Sequence, residues 1–138
     1  MSLRDELAGI LARDSRYSIQ AYAFVFEALD FTKNLKKRGQ PRFRARDRSV
    51  HRSRHVSGRE LCEGARHLAL DHYGLMALTV LNLWGIRSTS DLGEIVYNLI
   101  AAGDLEQAPG DSRTDFDHVF KFEDVLRRDF ILALDDVA

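Results

Sequence analysis

The sequence predicts a mainly α-helical fold in a single domain. Three observations carry that expectation. Apolar residues recur at helical spacing through most of the 138 residues. Serine caps and glycines fall where those stripes should begin and end. Outside the basic segment at 37–56, only a short stretch after Gly103 changes period. The length suits one domain that buries roughly two thirds of its unfolded surface. With 45% hydrophobic and 30% charged residues, the chain has the balance of a globular protein and not of a disordered one. No apolar run approaches the ~20 residues that span a bilayer, and no membrane partner is expected.

The N-terminal stretch MSLRDELAGILARDSR has acids inside its apolar run, so it does not read as a secretory signal. Ser2 with Asp5 predicts a short helix whose stripe is Leu3, Leu7, Ile10 and Leu11. A break at 14–17 follows. Ser18 stands where it can cap the next helix. That helix, IQAYAFVFEALDFTKNL, is apolar almost all round, the mark of a central element. Gly39 and Pro41 should stop it.

Ser57 and Glu60 form a capping box ahead of Leu61, Ala65, Leu68 and His72, with Gly74 as the stop. LMALTVLNLW supplies another helix, ended by Gly85. The clearest stripe is Leu92, Ile95, Val96, Leu99 and Ile100, which predicts a helix at about 90–102 ending at Gly103. Beyond it, LEQA and FDHVFKF around PGDS read as two short strands of a β-hairpin. The last helix should offer Leu126, Phe130, Ala133, Leu134 and Val137 on one side. The expected core is Tyr22, Val25, Phe26, Leu29, Leu61, Ala65, Leu68, Leu78, Leu81, Trp84, Leu92, Ile95, Val96, Leu99 and Phe130. The chain thus divides into N-terminal helices (1–36), a basic segment (37–56), a central unit (57–122) and a C-terminal helix (123–138).

The formal net charge of −1 hides a segregation. Residues 33–59 hold eleven Lys or Arg against Asp47 alone. Residues 90–138 hold four cations against twelve acids. Within the basic segment, Arg42, Arg44, Arg46 and Arg48 alternate with Phe43, Ala45 and Asp47. That period places the arginines on one face of an extended chain and leaves too weak an opposite face to bury. An exposed, mobile arm is the expectation. Lys36, Lys37, Arg38, Arg42, Arg44, Arg46, Arg48, Arg52 and Arg54 are its candidate contact residues. Arginine suits bidentate contact with phosphate. The alternative is an acidic protein surface, which includes the acidic half of another copy in a homo-oligomer.

Other chemistry is poorly represented. Cys62 is the single cysteine, so no intrachain disulfide can form and a reducing cytoplasm is the natural setting. Cys62 to His67 and His67 to His72 are each five residues, a spacing that does not put two ligands on one helix face. His51 and His55 stand four apart but among Arg48, Arg52 and Arg54, company a metal cation avoids. No metal or other cofactor is expected. No nucleophile elbow and no phosphate-cradling glycine loop occurs. The adjacent acids Glu123–Asp124 and Asp135–Asp136 fall at helix ends, where solvation keeps carboxylates ionised. The sequence reads as that of a protein without catalysis.

Two resemblances add to this reading. GIRSTSDLGEIVYNLIAAGDLEQAPGDS resembles the helix-turn-helix and wing of winged-helix proteins: Gly85-Ile86, the turn at 87–90, and Leu99–Gly103 with Leu105 follow that grammar, with one extra residue before the last leucine. The resemblance, over residues 75–122, implies a winged-helix-like subdomain with a small two-stranded wing. A groove-reading second helix would offer Arg, Lys, Asn or Gln to the bases. Here the positions outside the apolar stripe are Ser90, Asp91, Gly93, Glu94, Tyr97 and Asn98, and the wing is acidic as well. A scaffold or protein-contact role fits that chemistry better. The run VSGRELCEGARHLALDHYGLMALTVLNLWGIRSTSDLGEIVYNLI resembles a small uncharacterised protein family of planctomycete and verrucomicrobial bacteria, which implies a bacterial cytoplasmic setting and no site residues. The function expected is contact with nucleic-acid backbone through the arginine-rich arm, without sequence reading; an assembly or adaptor protein is the alternative.

Overall fold

The structure is a computed structural model that describes residues 3–38 and 55–137. The helices are α1 (Leu3–Glu6), α2 (Ala8–Arg13), α3 (Ile19–Lys37), α4 (Gly58–Tyr73), α5 (Ala77–Leu83), α6 (Thr89–Ala101) and α7 (Phe122–Val137), with 3-10 turns at Gly74–Met76 and Arg113–Phe116. α2 to α7 share one hydrophobic core. Among the described residues no helix is long and apolar enough to cross a membrane.

α3 is the hub, and its partner is α4. Tyr22, Phe24, Val25 and Ala28 are buried along its length. The crossing is tight because Gly64 of α4 faces Thr32 of α3: a Cβ on Gly64 would sit 1.8 Å from Thr32 Oγ1. Thr32 is itself buried, and its hydroxyl donates to Ala28 O at 2.6 Å, so no polar atom is stranded where the helices touch. α4 begins with the capping box the sequence signals: Ser57 Oγ accepts from Glu60 N, and Glu60 Oε1 accepts from Ser57 N. It ends at Gly74.

Several expectations are corrected. The N-terminal stripe is split into α1 and α2, with Leu7 buried at the joint. Ser18 occupies the cap position of α3, but its hydroxyl makes no cap hydrogen bond and is buried without a partner among the described residues. Of the expected core, Phe26, Leu29, Leu78, Trp84 and Val96 are only partly buried against it.

The two-stranded wing is absent: no strand occurs among the described residues, and 104–121 is a chain of turns around the Arg113–Phe116 helix. Side chains close those turns where a partner strand would have been needed. Asp111 Oδ2 accepts from Ala108 N, and Asp115 Oδ2 accepts from Ser112 N. Phe116, which the alternating pattern put on a strand, is buried against Gly58 and Gly93. Phe122 already belongs to α7, so the apparent alternation in FKF spans a helix start.

The face of α7 also differs from expectation. Phe122, Val125, Leu126 and Asp129 are buried, Phe130 is half-buried, and Ala133 and Leu134 are exposed. The reason is the buried pair between Asp129 and Arg66 of α4, joined at 2.7 and 3.1 Å, which rotates the helix toward its charged residue. Arg66 also lies 5.6 Å over the Phe120 ring. A stripe counted on apolar residues alone misses a face anchored by a carboxylate.

Candidate functional site

The basic segment begins at the end of α3, and the described chain resumes at His55. Arg42, Arg44, Arg46, Arg48, Arg52 and Arg54, with their expected extended and mobile arm, lie outside the described residues. Its two roots are described, and they are fastened together. Lys36 Nζ donates to His55 O at 2.6 Å and to Glu60 Oε1 at 3.0 Å. The Lys36 side chain is 5% exposed. Glu60 therefore serves both the cap of α4 and the lysine, and one carboxylate holds both ends of the segment. Burial makes the arrangement consequential, since removing one partner strands a charge away from water.

Lys36 was expected to contact a ligand and is instead a structural clamp. The signal was present in the sequence: Lys36 continues the Val25, Ala28 and Thr32 stripe at a spacing of four. Lys37 and Arg38 are exposed as expected, and Lys33 and Arg59 are exposed on either side of the same root.

Beside the root lies a cleft of about 360 Å³ between α3, the start of α4, α6 and the 105–116 loop. Leu29, Val56, Leu61, Ile100 and Phe116 line it with apolar surface, while Glu106, Asp111 and Asp115 make it acidic. A His55 ring nitrogen lies 3.0 Å from Asp111 Oδ1, which ties the returning root to the acidic loop. This cleft could hold an apolar group flanked by cations. Sequence reasoning missed it, because it brings together parts of α3, the start of α4 and the 96–116 region, which are far apart in the chain.

The polar face of α6, which a groove-reading helix would present to DNA, is occupied within the chain. Tyr17 OH donates to Asp91 Oδ1, and Asp91 Oδ2 accepts from the Arg87 and Ser88 amides, a cap on the helix start. Glu94 is paired with Arg16 at 3.2 Å and Arg113 at 3.5 Å. Asn98 donates to Asp14 and to the Tyr22 hydroxyl, and Ser90 donates to Asp117. Gly93 is covered by Phe116: a Cβ there would come within 2.9 Å of its side chain. The acids of α6 thus attach the 14–17 turn and the 104–121 loop to the helix.

Electrostatics follow from those contacts. The Arg16 hydrogen bonds hold the Asp14 carboxyl well below the usual carboxylate range, and Asp14 in turn raises Arg16. Burial, with the bond to Asp91, raises Tyr17. Burial, with a small addition from Glu63, pushes the Cys62 thiol up to about 12, so this cysteine stays protonated and unreactive as a thiolate at neutral pH. His72 is exposed and pairs with Glu27 at 2.8 Å. His67 is half-buried on α4. Among the described residues no group of three or more His, Cys, Asp or Glu is placed to hold a metal ion.

A scan of protein-family models finds no match to this chain, and neither does a search of curated proteins or of solved structures.

Proposed function

We propose that the chain is a binding protein without catalytic activity that grips a nucleic-acid backbone through its arginine-rich segment and reads no sequence. The observation that carries this reading is the root of the segment. There the Lys36–Glu60 clamp gathers the two ends, and exposed Lys33, Lys37, Arg38 and Arg59 surround them. Body cations are thereby added to the six arginines between 42 and 54. The internal occupation of the α6 polar face supports the absence of base reading, since its polar groups are already bonded.

A second reading is favoured by the cleft. Its apolar lining and acidic residues beside the same root complement an arginine-rich segment with an aromatic, such as Arg42-Phe43-Arg44 of another copy, or a basic partner protein. In this reading the protein is an assembly or adaptor component.

Salt separates the two. If about six phosphates are neutralised on duplex DNA, log K falls with log salt at a slope near −5. Replacing Arg42, Arg44, Arg46 and Arg48 with Ala should bring that slope to about −2, equally for unrelated duplexes. Fluorescence anisotropy with a random-sequence duplex measures both. Absence of binding at about 50 mM salt, where phosphate contacts are strong, would overturn the nucleic-acid reading. Loss of self-association in the four-arginine variant would then support the second.

A further inference from the structure

The second half of α7 carries a surface that none of the described residues covers. After Asp129 none of the described side chains of this helix is buried, and Ile131 and Leu132 are 48% and 55% exposed. Residues 128, 131, 132 and 135 are spaced i, i+3, i+4 and i+7, so they form one stripe that flanks the buried face: Leu132, seven residues after Val125, borders it, and Ile131 lies opposite Phe122. In order the stripe reads cation, apolar, apolar, anion.

That order is self-complementary. A two-fold axis passing between positions 131 and 132 of two antiparallel copies sets Ile131 against Leu132 and Arg128 against Asp135, twice over. Such reciprocity is the requirement of an isologous contact. Arg128 has little to give up: its side chain is 61% exposed and stands 3.9 Å from Asp129, a carboxylate already held by Arg66. A shallow groove lined by Asp124, Arg127, Arg128, Ile131 and Leu132 gives the apolar side chains of a partner helix somewhere to pack.

We propose that the Arg128–Ile131–Leu132–Asp135 stripe of α7 is an antiparallel pairing surface whose occupant is a second copy of this chain. A few helical turns bury less than the roughly 1,600 Å² of a standard interface. The dimer is therefore a weak one, roughly micromolar or weaker, and it loosens with salt because its ion pairs lie at the rim.

Sedimentation of the full chain over a concentration series at low salt tests this. Wild type should pass from monomer to dimer. Arg128→Asp and Asp135→Arg should each raise the dissociation constant about tenfold or more, since each places like charges opposite one another. The double variant R128D/D135R, which restores opposite charges with their positions exchanged, should recover to within about threefold of wild type. Ile131→Ser should weaken pairing about tenfold without touching any charge. All of these positions are exposed, and far-UV circular dichroism checks that the helices persist; should a charge variant lose helix, Ile131→Ser alone decides. The proposal is overturned by a chain that stays monomeric up to about 1 mM. It is overturned equally by a dimer that ignores Ile131→Ser and the charge exchange, or that dissolves only when Arg42, Arg44, Arg46 and Arg48 are replaced.

Discussion

α6 and α7 are alike as sequence and unlike as structure. Both are amphipathic, and both place acids in the first turn: Asp91 in α6, Glu123 and Asp124 in α7. α6 is enclosed on both faces. Leu92, Ile95 and Leu99 enter the core, while Asp91, Glu94 and Asn98 bind the turn at 14–17 and the Arg113 loop. Among the described residues α7 is covered on one face, and its last buried side chain is Asp129. Charge on a helix therefore does not tell which face meets solvent. It tells only that something polar must meet it, and in α6 that partner is supplied by the chain.

The contrast can be broken most severely at the buried polar anchor of α7. Arg66→Ala leaves Asp129 buried without its bidentate partner and should cost about 3–5 kcal/mol. Chemical denaturation measures it, and Arg66→Met with Asp129→Leu together should recover much of the loss, because an apolar pair of similar volume has no charge to desolvate. A cost for Arg66→Ala below about 1 kcal/mol would show that α7 is held by its apolar residues alone.

A smaller effect is expected where α6 is enclosed by the loop. Gly93→Ala sets a methyl within 2.9 Å of the Phe116 side chain and should cost about 1–3 kcal/mol. Ala is otherwise the better helix former, by about 1 kcal/mol. If the 104–121 loop does not rest on α6, the substitution stabilises the protein, so the sign of the change decides.

The least effect is expected at the turn that binds the far side of α6. Asp14→Asn weakens the hydrogen bonds from Arg16 and should cost about 1 kcal/mol at neutral pH. The folded carboxyl is held below its ordinary value, so its contribution is present above the unfolded value near 3.9 and fades as pH falls toward the folded one. Wild type and variant should therefore differ at pH 7 and converge in acid, as thermal denaturation from pH 7 to 2 would record. Parallel curves would remove the ionised Asp14 as the cause.

How legible the molecule was depended on whether a feature is local. The α4 capping box, the extent of α6 and the central place of α3 were all readable, because Ser57 and Glu60 are three residues apart and an apolar stripe repeats within one helix. The charge of the basic segment was readable as composition. The clamp at its root was readable only in part: Lys36 sits on the buried stripe of α3, but its partner lies twenty-four residues away.

The sequence by itself determined that this is a mainly helical protein, that α4 runs from the Ser57 cap to Gly74, and that its positive charge is concentrated in one segment. Hydrogen bonds between near neighbours and the period of the chain suffice for that. Only the tertiary structure decided that Lys36 is internal, that 104–121 forms side-chain-closed turns and not a hairpin, and that the cleft beside the root exists. It also decided which charges of α6 are spent within the chain. Each of those depends on which distant group arrives opposite a residue: Gly64 opposite Thr32, Phe116 opposite Gly93, Arg66 opposite Asp129. No pattern along one segment records its partner on another, and the cost of burying a charge is met by the partner and not by the pattern.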